Sequence, residues 1–230
     1  MCYTDGNAGP DWVGLVDEKV RARNKLASSF LQGHAGDVNP GPGKPWLGIP
    51  EQVADAVYAG LDAAIHGAVP VSVDMLRSTA GQVELPLDIP LFKQRLQQYL
   101  DDPSKCTGGS YVDARFAADW AEGAAKWDAA RTTLAAPASA LRLGNVALLF
   151  HPAELYSYYG LAIQRDSPCP TTLVVGYTDD IIGYLPDPNA YQAGEYAALT
   201  VPGILDLPPF TPQAAQRLAE QALQLLAKIA

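Results

Sequence analysis

Residues 141–196, LRLGNVALLFHPAELYSYYGLAIQRDSPCPTTLVVGYTDDIIGYLPDPNAYQAGEY, decide how this chain is read. Val146 to Phe150 is an unbroken apolar run too short for a helix, which predicts a strand buried on both faces. His151-Pro152 ends it. An amphipathic helix is predicted next, with Glu154 in its first turn, where free backbone N–H groups favour an ionised carboxylate. A carboxylate held in that state suits a hard cation. A second strand is predicted from Thr172 to Tyr177. The loop after it carries Asp179, Asp180, Tyr184 and Tyr196 at the strand's carboxyl end, where open α/β sheets tend to place their chemistry.

Outward from this stretch, helices are predicted from Asp11 to about Leu26, Glu51 to His66, Leu91 to Leu100 and Tyr111 to Leu134. A last helix follows Thr211-Pro212, with Leu218, Ala222, Leu225 and Ile229 on one face. Strands are predicted at Ser28 to Leu31, Val69 to Met75 and Gly81 to Leu87, and Ala135 to Ala140 reads as a linker. Residues 1–10 read as an irregular lead-in. Between the first strand and the second helix, QGHAGDVNPGPGKP packs glycines and prolines into a backbone neither helix nor sheet tolerates. The element order predicts an α/β fold, a mixed, largely parallel sheet flanked by helices, in a single domain over residues 1–230.

Composition narrows the partners. The chain has 230 residues, 48% of them hydrophobic, and a net charge of -9; its pI is near 4.7 and its mean hydropathy -0.01. Scattered Lys and Arg on so acidic a chain argue against nucleic acid. No run reaches the ~18 apolar residues of a membrane span, so no transmembrane segment is expected, and residues 1–30 show no export signal. Cys2, Cys106 and Cys169 are too far apart for a paired metal motif or an evident disulfide framework.

Four segments, in order, resemble the neutral, non-lysosomal ceramidases and their bacterial relatives: FLQGHAGDVNP at 30–40, GQVELPLDIP at 81–90, LRLGNVALLFHPAELYSYYGLAI at 141–163 and IIGYLPDPNAYQAGEY at 181–196. The resemblance implies a neutral-ceramidase-like catalytic domain and a zinc amidase that cleaves N-acylated sphingoid bases, a lipid-like amide substrate. In that family two histidines, a glutamate and a tyrosine hold the Zn2+, which activates water and polarises the amide carbonyl. By motif, Glu154 and Tyr184 take the places of the metal glutamate and tyrosine, and Tyr196 that of a second active-site tyrosine able to hydrogen-bond the developing oxyanion. Asp37 and Asn39 fall in the Gly-Asp-Val loop as catalytic residues. Asn39 stands where ceramidases carry serine, and an amide donates a hydrogen bond but is no hydroxyl nucleophile.

The family's metal histidines precede the Gly-Asp-Val loop, whereas here His34 alone does. The chain is therefore expected to be the C-terminal portion of such a domain, with the missing N-terminal part as a partner, or a non-catalytic relative that binds a lipid or protein. A hydrolase of another amide or ester is the third reading. Family members are often secreted or at the cell surface. Plainer roles stand beside these: Glu154 as a helix-stabilising first-turn residue, Tyr184 and Tyr196 as packing residues, Asp37 and Asn39 as turn formers, and Asp179-Asp180 as a solvated turn.

Overall fold

A computed structural model describes residues 9–40, 48–106, 112–128 and 130–230. The lead-in to residue 8, Cys2, the Gly/Pro loop over 41–47 and the expected helix start at Tyr111 lie outside them. The chain divides into two compact units, residues 1–32 with 38–72, and residues 33–37 with 73–230.

In the smaller unit α1 (Asp11–Lys19), extended by a π-type turn over Val20–Asn24, packs on α2 (Pro50–His66). Their apolar faces meet at Val16, Val20, Ala54 and Tyr58. Lys19 pairs with Asp55 at 2.8 Å across the seam. The strand expected at Ser28 to Leu31 does not form. A lone extended segment gains nothing from its backbone groups without a ladder partner.

The larger unit is built on a four-stranded sheet in the order β1 (Leu76–Pro86), β2 (Thr133–Leu143), β3 (Val146–Phe150), β5 (Thr171–Val175). β1–β2 and β2–β3 are antiparallel and β3–β5 is parallel. The sheet is mixed, as expected, but less parallel than expected, because β2 takes the place of a linker and returns directly into β3. Only the connection through α5 (Ser157–Asp166) is a crossover. The two strands expected at 69–75 and 81–87 are replaced by the single strand β1. α3 (Ile89–Asp101) forms as read, its first turn capped by the Asp88 carboxylate accepting from Leu91 N–H. The long helix expected at 111–134 is α4 (Phe116–Ala125) only.

The alanine run is strand because something packs on it. Ala136, Ala138 and Ala140 are buried and share a face with Val83, Leu85, Ala147 and Leu149 across the register. Onto this face α9 (Ala214–Ile229) lays Leu218, Ala222, Leu225 and Ile229, the stripe read from its periodicity. Small residues let the helix approach closely: a Cβ added at Gly81, opposite Ala138, would sit 3.6 Å from Leu225. β3 alternates rather than being buried on both faces, with Ala147 and Leu149 fully inside and Val146, Leu148 and Phe150 half-buried. No helix among the described residues is long and apolar enough to cross a membrane.

Candidate functional site

The candidate site forms where β3 and β5 end. Glu154 is not in a helix. It opens the short strand β4 (Glu154–Leu155), which pairs in parallel with β6 (Tyr184–Leu185), with Glu154 and Tyr184 as direct register partners. Glu154 N–H donates to Gly183 C=O at 2.8 Å and Tyr156 N–H to Leu185 C=O at 3.2 Å. α5 starts only at Ser157. A sequence window cannot show a partner strand 30 residues on, and that ladder holds Glu154 in extended backbone. The side chains of register partners leave a parallel pair on the same face, so the carboxylate and the phenol read as metal ligands are brought together.

Gly183 fixes where Tyr184 begins. Its φ is +78°, and an added Cβ would lie 2.9 Å from Leu205 Cδ1. Gly183→Ala is expected to lose about 1–2 kcal/mol of stability from the left-handed backbone alone, read as a lower urea midpoint with an unchanged slope.

The Gly-Asp-Val loop meets the other side of this strand. Gly36 N–H donates to Leu155 C=O at 3.0 Å, and a Cβ on Gly36 would fall 2.5 Å from the Glu154 carbonyl oxygen. Asp37 takes both Ser157 N–H, at 2.6 Å, and Ser157 Oγ–H, at 2.8 Å, so its carboxylate caps the start of α5. Asn39 is exposed and belongs to the smaller unit. Tyr196, the first residue of α7 (Tyr196–Leu199), is 44% exposed. Partial burial and then the Glu154 charge raise its pKa, which keeps the phenol protonated and able to donate. Just before it, Glu195 accepts a hydrogen bond from Tyr156 Oη at 2.8 Å. Asp179 and Asp180 are exposed turn residues, Asp180 accepting from Ile181 N–H at 2.8 Å.

One residue was not singled out from the sequence. Tyr177 follows Gly176 just past β5, is half-exposed and lies in the field of the Glu154 carboxylate. Burial first, then the nearby Glu154 carboxylate, push its pKa up, and the same causes act in the same order on Tyr184. The strand expected to reach Tyr177 ends at Val175, which leaves the Gly-Tyr pair in the turn after it. The Glu154 charge thus acts on the phenols of Tyr177, Tyr184 and Tyr196, and no ion pair neutralises Glu154 among the described residues.

Behind the strand lie two histidines with unpartnered ring nitrogens. His151 is 1% exposed; its Nδ1 accepts from Ala153 N–H at 3.2 Å, so the neutral ring carries its proton on Nε2, which has no partner among the described residues. His34 Nδ1 is likewise buried and has no partner among the described residues. Burial, then repulsion from His34, lowers the His151 pKa to about 4. Burial also lowers that of His34, against the opposing pull of Asp37.

A zinc ion takes three or four protein donors. Glu154 and Tyr184 are chemically suitable as two of them, but among the described residues no group of three or more His, Cys, Asp or Glu could hold a metal ion. The residues described here do not complete a zinc site.

No protein-family model matches the chain, and a search of curated proteins finds no significant relative. Solved structures do match in fold. Neutral ceramidase from Pseudomonas aeruginosa is 16% identical with a TM-score of 0.61, over 98% of this chain and 42% of that one. A structure described as ceramidase complexed with C2 is 15% identical with a TM-score of 0.59, over 96% of this chain and 43% of that one. The present chain, with its α/β fold and mixed sheet, is therefore similar in fold to less than half the length of a neutral ceramidase.

Proposed function

We propose that the chain supplies part of the active site of a zinc-dependent amidohydrolase that splits N-acylsphingosine-type lipids into fatty acid and sphingoid base. The observation that carries this reading is the pairing of Glu154 with Tyr184 in one parallel ladder, with Tyr196 in the field of the same carboxylate. The fold likeness supports it. Glu154 and Tyr184 would hold the metal together with donors from outside the described residues. Zinc bound there supplies an activated water and a polarised amide carbonyl. Of the chain's own groups, the protonated Tyr196 phenol donates to the oxygen that gains charge. Asp37 orders the loop through its two bonds to Ser157.

Zinc content and fatty-acid release from N-acylsphingosine, measured on the native gene product, test this. Glu154→Gln and Tyr184→Phe are each expected to weaken zinc binding at least about tenfold, since even outer-shell losses reach that size, and to reduce hydrolysis in parallel. A native product with neither zinc nor amide release overturns the reading. The absence, among the described residues, of any group of three or more His, Cys, Asp or Glu able to hold a metal ion favours a second reading, a non-catalytic domain that binds lipid or a protein partner. N-acylsphingosine binding without turnover would support it. Release from other amides or esters alone would instead assign a different substrate to the same residues.

A further inference from the structure

An open groove of about 580 Å3 lies among α5, the start of α6 (Pro188–Ala193) and α9, within the range of about 300–1,000 Å3 in which proteins bind small molecules. Its floor is apolar, with Ala162 and Ile163 of α5 beside Ala219 and Leu223 of α9. Its charged lining is of one sign. Asp166, Asp187 and Glu220 line it, and no Lys or Arg does. Arg165 takes both oxygens of Asp166, at 2.7 Å each, so Asp187 and Glu220 are the two without a cation among the described residues. Asp187 Oδ1 accepts from Asn189 N–H at 2.8 Å and from Ala190 N–H at 3.1 Å, and Glu220 Oε1 accepts from Gln216 Nε2 at 2.9 Å. The second oxygen of each carboxylate stays open. Tyr159 adds an independent observation. It is 8% exposed and lines the groove, yet its hydroxyl meets no hydrogen-bond partner among the described residues, where a buried phenol ordinarily finds one. Burial, then the Asp187 charge, raise its pKa, so it stays neutral. The exposed ring of Tyr158 packs edge-on against it, centroids 5.1 Å apart.

We propose that this groove binds an aliphatic polyamine, a methylene chain that carries two or more ammonium groups. The methylenes cover the apolar floor. One ammonium donates to the open oxygen of Asp187 and to Tyr159 Oη, and a second donates to Glu220 on α9. An ammonium has three donors and no acceptor, which matches a lining whose unused polar atoms accept, and the Tyr158 ring attracts the same charge. A metal ion would leave the apolar floor unused and wants several oxygens converging on one point. An anion would meet only carboxylates. The net charge of -9 raises the local concentration of polycations. None of these residues belongs to the amidohydrolase reading, and the inference stands whether or not that reading does.

Titration of the full chain with spermidine, read by calorimetry and by amide NMR shifts, tests it. The expected result is saturable binding whose shifts fall on α5, α6 and α9, with no binding of an uncharged alkanediol. Asp187→Asn keeps an oxygen to cap α6 and removes the charge, and Glu220→Gln does the same on α9. Each is expected to weaken spermidine about three- to tenfold, between the worth of an exposed ion pair and that of a charge-assisted hydrogen bond. Tyr159→Phe is expected to cost about threefold, one neutral hydrogen bond. Glu51→Gln on α2 removes the same charge outside the groove and is expected to change affinity less than about twofold. Should Tyr159→Phe disturb folding, the two carboxamide variants decide the matter. Binding weakened as much by Glu51→Gln as by the groove variants would be general attraction to an acidic chain and would overturn the proposal. So would shifts that fall outside α5, α6 and α9, or no saturable binding at millimolar spermidine.

Discussion

Gly160→Ala is expected to lower folding stability by about 2–4 kcal/mol, the upper part of the range for overpacking. Gly160 lies inside α5, where alanine ordinarily improves a helix by about 1 kcal/mol. The surroundings reverse that sign. A Cβ there would fall 1.9 Å from His34 Cγ and 2.3 Å from His34 Cδ2, a ring rather than the tip of a flexible chain. Either α5 or the segment over residues 33–37 must move, and that segment carries the Gly36–Leu155 hydrogen bond and the Asp37 cap on Ser157. The loss is read from urea unfolding. His34→Ala in the Gly160→Ala background is expected to recover most of it, because the ring is what the methyl meets. An alanine at 160 that stabilises the protein as in an isolated helix would show that His34 does not pack there.

Acidification is expected to destabilise the protein between about pH 6.5 and pH 4, by up to about 3 kcal/mol from His151. The direction follows from the depressed pKa. A neutral, buried imidazole with a folded-state pKa of about 4 binds fewer protons in that window than the same residue in the unfolded chain, near 6.5. Stability therefore holds above pH 6.5 and falls as pH drops toward 4. His34 lies beside His151, and its own pKa is lowered by burial, so it contributes in the same direction. His151→Asn tests the assignment. Its side-chain oxygen can still accept from Ala153 N–H but cannot titrate, and the slope of stability against pH over the window is expected to flatten. An unchanged slope would place the acid sensitivity elsewhere.

How much of this was legible beforehand depends on the range of the forces involved. α2, α3 and α9 and the strands β3 and β5 formed close to where periodicity put them, because an apolar stripe or a short apolar run marks an element whatever it packs against. α9 is the clearest case, its buried Leu218, Ala222, Leu225 and Ile229 being the stripe read in the chain. The misreadings share one cause. Ala135 to Ala140 has no large apolar residues to announce a strand, and its small side chains have meaning only under α9. Ser28 to Leu31 has the composition of a strand and finds no ladder.

Glu154 shows the same division at the candidate site. The residue types there, one carboxylate and several tyrosines around strand ends, were visible in the sequence, and the structure brings Glu154, Tyr184 and Tyr196 into one electrostatic neighbourhood. Their arrangement was not visible. A first-turn helical position and a two-residue strand look alike in a window of a few residues. The choice was made by hydrogen bonds to Gly183 and Leu185.

By itself the sequence determined the class of fold, the amphipathic helices and the inventory of groups able to do chemistry, since these depend on composition and local spacing. Tertiary structure alone decided that alanines could form a central strand, that Glu154 would be extended and that Tyr177 would take a left-handed backbone. Each of those outcomes rests on a partner distant in the chain, whose burial or hydrogen bond outweighs a local preference of about 1 kcal/mol or less.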